Sequence, residues 1–126
     1  VLIKIDGVHI LTDPVFSDRC GISLGLVTLG LKRRTAPALR IPELPPIDLI
    51  LLSHAHMDHF DIPSLRRLES KGTRVVTARE TSDLLRPARY QHVTELGWGE
   101  KSQEGAVLIQ GLEVNHWGAR MRTDTY

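Results

Sequence analysis

The chain has one cysteine, Cys20, so it cannot carry an internal disulfide framework, and that usage fits a reducing, cytoplasmic compartment. It has almost no net charge: 16 Lys and Arg against 15 Asp and Glu leave +1, which gives no electrostatic help to nucleic-acid binding. No apolar run reaches the roughly 18 residues that a membrane-spanning helix needs. No signal-peptide pattern, internal repeat or low-complexity segment is present. An initiator methionine is also lacking. Val1 opens inside what reads as a strand and the chain stops at "RTDTY", so both ends are expected to be cut ends.

What is present suits one small domain, 126 residues at 41% hydrophobic and 25% charged, with no internal boundary. "VLIKIDGVHILTDP" reads as a hairpin turning at Asp6-Gly7 and ending at Pro14. Residues 15–46, punctuated by glycine and proline, read as irregular. "IDLILLS", Ile47 to Ser53, is a short apolar run and reads as a strand buried on both faces. Asp61 is placed to cap a helix running to about Ser70, with Pro63 in its first turn and Gly72 as the stop. "TRVVTA" reads as a strand, "RETSDLLR" as a short helix ended by Pro87, and "GAVLIQGLEVNHW" as two strands around Gln110-Gly111. The alternation predicts an α/β fold with a mixed sheet and flanking helices.

"SHAHMDHF", residues 53–60, carries the chemistry. His54 and His56 are two apart, so at an extended strand end they leave on the same face. Asp58 and His59 follow before the helix. Imidazole and carboxylate suit zinc and related divalent ions, and the carboxyl end of a buried strand is where open α/β sheets place ligands. One ion could take His54 and His56, and a neighbour Asp58 and His59. Chance or packing explains the set poorly, because buried histidine and aspartate cost free energy unless paired.

His-x-His-x-Asp-His is the signature of the metallo-β-lactamase superfamily, and "SHAHMDH" resembles it at every specified position. "ILTDPVFSDRC", "LPPIDLILLSHAHMDHFDIPSLRRL", "VTELGWGE" and "EVNHWGAR" are similar to segments of the branch containing N-acyl-phosphatidylethanolamine-hydrolysing phospholipase D and its bacterial relatives. The resemblance implies an αβ/βα sandwich around a dinuclear centre. That centre would hold two zinc ions per complete domain, other divalent metals being open, and would hydrolyse ester-type bonds with a metal-activated hydroxide. His54, His56 and His116 match the ligands of the first metal, and Asp58 and His59 match ligands of the second. Asp58 is also the candidate to orient the nucleophile, and is the expected catalytic residue. Asp13, in "LTDP", resembles an early aspartate that supports the site by holding a ligating imidazole. A plain turn residue before Pro14 is an equal alternative.

The family's pattern also needs a bridging aspartate and a last histidine beyond His116. This chain offers only Asp124 there, and no histidine. It is therefore expected to supply about one half, the N-terminal part, of a two-part fold, with a missing C-terminal half or a partner chain completing the site. His54, His56 and His116 alone would give one ion three ligands and an open position, which is a catalytic and not a structural arrangement.

The glycine-punctuated apolar stretch from Ile22 to Leu31 runs into Lys32, Arg33 and Arg34, with Arg40 beyond. It could make peripheral contact with an anionic membrane or grip a phospholipid head. A buried, irregular connection with a solvated basic end is the plainer alternative. His9 and His92 are expected to stay off the metal. Trp98 and Trp117 are expected to be packing anchors, Trp117 with the option of walling a pocket beside His116. Cys20 has no histidine near it in sequence and is not expected to be a nucleophile. The substrate is then an N-acyl phospholipid or similar phosphodiester, or alternatively a lactone or sugar-phosphate ester, as in the related ascorbate-phosphate lactonases. A reading of another class is a non-catalytic half-domain that binds one metal or none.

Overall fold

A computed structural model of the chain describes residues 1–23 and 28–116. Trp117, Asp124 and residues 24–27 of the apolar stretch lie outside the described residues. The first hairpin joins β1 (Leu2–Ile5) to β2 (Val8–Thr12). Its turn places Asp6 and Gly7 at φ 48° and 83°, the left-handed pair that a two-residue hairpin loop requires.

β5 (Leu49–Leu52) is the central strand. It pairs in parallel with β2 on one side and with β6 (Arg74–Ala78) on the other, and β6 pairs in parallel with β7 (His92–Leu96). The sheet order is β1-β2-β5-β6-β7, antiparallel only at the β1 edge, so the sheet is mixed as expected.

Alternation along these strands sends side chains to two cores. Ile50 and Leu52 join Leu11, Phe60, Leu65 and Val75 on one face, under α1 (Ile62–Leu68). Leu49 joins Ile10 and Val76 on the other, against β9 (Val107–Gln110), the hairpin partner of β8 (Lys101–Glu104), which contributes Val107 and Ile109. β5 is therefore covered on both faces, which is why "LILL" carries no polar alternation.

Five expectations are corrected. Residues 15–46 are not wholly irregular: β3 (Arg19–Ser23) and β4 (Thr28–Lys32) form an antiparallel ribbon, and Ile41–Glu43 make a 3-10 turn. The ribbon escaped notice because its glycines read as loop. Gly21 and Gly30 lie opposite each other, and a Cβ on either would stand 2.0 Å from a backbone oxygen of the partner strand.

The second hairpin turns at Gly105-Ala106, between Glu104 and Val107, and not at Gln110-Gly111. Its first strand, "KSQE", has no apolar signal. Gly111 instead extends the ladder, donating its N–H to Glu100 O at 2.9 Å, and a Cβ there would meet Gly97 O at 2.2 Å. No strand covers residues 112–116.

The helix after Asp61 ends at Leu68, not Ser70. Glu69 leaves helical geometry and accepts the Arg89 N–H on its carboxylate at 2.8 Å. The "RETSDLLR" helix is a 3-10 turn over Ser82–Leu85: Glu80 takes φ 63°, outside helical geometry, and Pro87 cannot continue a ladder, so too few residues remain between them for an α-helix.

Asp61 does stand at the N-cap position, but its side chain makes no capping bond to the helix backbone. The buried carboxylate accepts hydrogen bonds from the Ser64 and Ser17 hydroxyls instead. Ser64 Oγ in turn accepts the Phe16 N–H at 2.7 Å. This fastens the stretch leading into β3 to the start of α1. Among the described residues no helix is long and apolar enough to cross a membrane.

Candidate metal centre

The parallel register dictates where the site forms. Thr12 lies opposite Leu51, so β2 and β5 end together, and the residues that leave them meet at the carboxyl edge of the sheet. Asp13 leaves β2, with its N–H donated to Leu51 O at 2.9 Å. Ser53 and the histidine motif leave β5.

Asp13 takes φ 41°, an uncommon left-handed conformation that aspartate tolerates better than most residues. Its carboxylate is well used there. Oδ1 accepts the Ser53 N–H, and Oδ2 accepts both the Ser53 hydroxyl at 2.8 Å and His59 Nδ1–H at 2.9 Å.

This network sets the tautomers. A carboxylate only accepts, so His59 must donate from Nδ1. Ser53 gives its one hydrogen to Asp13, so its oxygen must accept from His54 Nδ1, 2.9 Å away. In the neutral His54 ring the lone pair is thereby left on Nε2. Among the described residues, His54 Nε2, His56 Nδ1 and His116 Nε2 converge, with separations of 2.9, 3.2 and 3.2 Å. Nitrogens bound to a tetrahedral ion at about 2.0–2.1 Å would stand about 3.3 Å apart. Spacing and donor chemistry both fit a divalent ion.

His54 is held below the usual histidine range, mainly by burial and then by its neighbours His59, His56 and His116. The neutral ring is the ligating form.

The His59 ring packs against His54, with ring centroids 4.3 Å apart. Its Nε2 is 3.8 Å from Asp58 Oδ2. Asp58 is exposed and stands outside the triad. Of the residues named from sequence, the structure thus brings His54, His56 and His116 together, places Asp13 behind His59, and leaves Asp58 and His59 as an adjoining pair. His9 and His92 sit at the start of β2 and β7, the opposite edge of the sheet. His9 N–H is donated to Asp48 there at 2.8 Å.

Ser53 was not singled out from sequence. Its signal was its position, a hydroxyl between the buried strand and the first histidine. Trp98 also differs from a packing anchor. It is 66% exposed and lines a cleft of about 900 Å³ that runs from Asp13, His54 and His116 across Leu51, Val76 and Ile109. Such a volume lies within the roughly 300–1,000 Å³ of small-molecule sites.

The chain is also similar to known proteins over most of its length. The chain is 34% identical over 125 residues to the mitochondrial N-acyl-phosphatidylethanolamine-hydrolyzing phospholipase D of Saccharomyces cerevisiae, covering 95% of the chain and 26% of that protein. It is 28% identical over 135 residues to N-acyl-phosphatidylethanolamine-hydrolyzing phospholipase D 1 of Caenorhabditis elegans, covering 98% of the chain and 37% of the relative. An uncharacterized protein of Mycobacterium tuberculosis is 30% identical over 122 residues, covering 94% and 32% respectively. The chain thus spans roughly a quarter to a third of the length of these curated relatives. A family model described as the beta-lactamase superfamily domain matches residues 9–126, a span that holds the parallel strands β5, β6 and β7, the Asp13 network and all three converging imidazoles, and the chain belongs to that superfamily.

Proposed function

We propose that this chain forms part of a metal-dependent hydrolase acting on a phosphodiester, with an N-acyl phospholipid as the favoured substrate. The convergence of three imidazole nitrogens carries the reading, because it offers a divalent ion three ligands and leaves a position open. The printed names of two relatives support the substrate class. A bound zinc ion would supply Lewis acidity and an activated water at neutral pH.

The chain's own residues divide the remaining work. His54, His56 and His116 hold the ion. Ser53 and Asp13 fix the His54 and His59 rings through their Nδ1–H groups. Asp58, exposed beside His59, serves to orient the attacking water and accept its proton, and with His59 it would ligate a second ion. Leu51, Leu52, Val76, Leu96, Ile109 and Val114 make much of the cleft wall beside the triad, with Arg79 and Gln110 among them, and the aliphatic part favours an acyl chain. A lactone or sugar-phosphate ester is the alternative substrate. The remaining ligands of the second ion would come from chain outside these residues or from a partner.

The test has two stages. Native mass spectra with and without added zinc count metals per chain, with His54→Ala and His116→Ala as controls. Hydrolysis of an N-acyl-phosphatidylethanolamine and of a lactone is then compared for the zinc-loaded protein. Zinc held by the wild type and lost in both variants, together with phospholipid turnover, is expected. Zinc binding without turnover of either ester would leave a non-catalytic metal-binding unit. Retention of zinc by both variants would overturn the site itself.

A further inference from the structure

Asp13 sits in a strained backbone conformation. Its φ of 41° is left-handed, a region that residues other than glycine seldom occupy, and such strain persists only where the surrounding structure over-determines it. Ser53 and His59 engage the Asp13 carboxylate, but they do not fix the chain that follows it. Residues 14–18 run on from Asp13 with neither helix nor strand.

That stretch is nevertheless fastened along its length. Pro14 is buried. The Phe16 N–H is donated to Ser64 Oγ at 2.7 Å, and the Ser64 hydroxyl to Asp61 Oδ2. The Ser17 hydroxyl is donated to the same Asp61 oxygen at 2.6 Å. Arg33, half-buried just after β4, holds the stretch as well. Its guanidinium donates to Val15 O and, at 3.3 Å, to Ser17 O, and its backbone N–H is donated to Asp18 O at 2.8 Å.

Asp61 is the unusual member. It is only 6% exposed, and burying a carboxylate costs free energy that its hydrogen bonds must offset. An aspartate at an N-cap position ordinarily accepts from the helix backbone, and Asp61 does not. It accepts from Ser17 and Ser64 instead. Asp61 stands two residues after His59, and Ser17 four residues after Asp13. The Asp13–His59 and Ser17–Asp61 hydrogen bonds therefore cross between the same two segments, and each restricts the geometry of the other.

We propose that the Ser17–Asp61 bond, backed by Arg33, is a positioning device for the candidate metal centre. It holds Asp13 in its left-handed conformation, within reach of His59 and of the Ser53 that orients His54. Ser17, Asp61 and Arg33 act through Asp13 and not as ligands. Groups behind metal ligands set ring orientation and affinity, and this device lies one step further back. Its value to a bound ion rests on the metal-centre reading above. The state of His59 is read without metal, so the two fail separately.

The experiment compares the wild type with Ser17→Ala, Ser17→Thr, Arg33→Gln and Tyr90→Phe. Tyr90→Phe is the control, because it deletes a hydrogen bond onto α1, from the Tyr90 hydroxyl to Leu65 O at 2.8 Å, that has no part in the Asp13 stretch. Nitrogen-15 NMR of the metal-free protein, well above the ordinary histidine value of about 6.5, reports which ring nitrogen of His59 carries the hydrogen. The wild type, Ser17→Thr and Tyr90→Phe are expected to show the Nδ1–H form. Ser17→Ala and Arg33→Gln should move part of the population to Nε2–H. In competition with a chromophoric chelator, those two should also bind zinc about three- to tenfold more weakly, at or below the lower end for groups directly behind a ligand. Wild-type His59 signals and zinc affinity in both Ser17→Ala and Arg33→Gln would overturn the proposal. So would a Tyr90→Phe that shifts both readouts equally, since general loosening of the fold would then explain them. A wild type that holds no zinc would strike the metal centre, and the His59 signals would still decide the positioning. If Ser17→Ala fails to fold, Arg33→Gln decides alone.

Discussion

Asp13 and Ser53 face each other across the ends of two parallel strands and exchange two hydrogen bonds at 2.8 Å, one from the serine N–H and one from its hydroxyl. The same hydroxyl oxygen receives the proton of His54 Nδ1, so a carboxylate on one strand orients a ligand on the next. Groups behind metal ligands commonly govern affinity by roughly 10–100-fold. Ser53→Ala is therefore expected to weaken zinc binding within that range while leaving the fold intact, because Asp13 keeps its backbone bond and His59. Ser53→Thr keeps the hydroxyl and should bind near the wild-type level. Competition with a chromophoric chelator measures both, and an alanine variant with unchanged affinity would remove Ser53 from the site.

His116 supplies one of three converging nitrogens, and it is exposed. Its truncation should cost more affinity than that of Ser53, because a ligand is lost and not merely loosened. Stability in the absence of metal should change little. His92, at the far edge of the sheet, is the control. His92→Ala should leave zinc stoichiometry untouched, and isothermal titration of both variants separates the cases.

Glu95 bridges the turn after β6, accepting Glu80 N–H at 3.0 Å and Ser82 N–H at 2.8 Å, one on each oxygen. Burial pushes its carboxyl up. Hydrogen bonds from the Ser82 hydroxyl and from the Glu80, Ser82 and Thr81 N–H groups outweigh that and hold it below the ordinary 4.5. A depressed carboxyl stabilises the fold above the unfolded value and loses that contribution as pH falls from about 4.5 through the folded value. Glu95→Gln can accept only one of the two backbone bonds, so it should cost about 1 kcal/mol at pH 7. It should also flatten the stability loss below pH 4.5, as read by urea unfolding at several pH values. An unchanged acid limb would show that the bridge is not formed.

Phe60 is fully buried beneath the motif, in one core with Ile50, Leu65 and Val75. Phe60→Ala should cost about 3–5 kcal/mol, a large share of the stability of a small domain. Since His59 adjoins it, the fraction that still folds should bind zinc more weakly. Thermal unfolding with and without zinc tests both effects.

The central part of this arrangement was legible in the sequence because it is local. The "LILL" run, the histidine motif and the helix after Asp61 are contiguous, and each carries its own pattern. Three things escaped for identifiable reasons. "KSQE" forms an exposed edge strand with no apolar alternation. The ribbon's glycines are demanded by close approach of two backbones, yet glycine in sequence reads as a loop. The bridge through Ser53 depends on the β2–β5 register, which joins residues forty positions apart and leaves no spacing to detect.

The three imidazoles do not arrive together. His54 and His56 are placed by a buried strand, but His116 is carried 62 positions further along, on a stretch outside the strand ladder. Two of the three ligands are therefore set by the folded sheet, and the third comes from a separate stretch of chain. A zinc ion bridging all three would tie the last described segment to the middle of the domain, acting as a clasp for the chain as well as a reagent. Stripping the metal would then release this outer wall of the cleft before it disturbed the sheet.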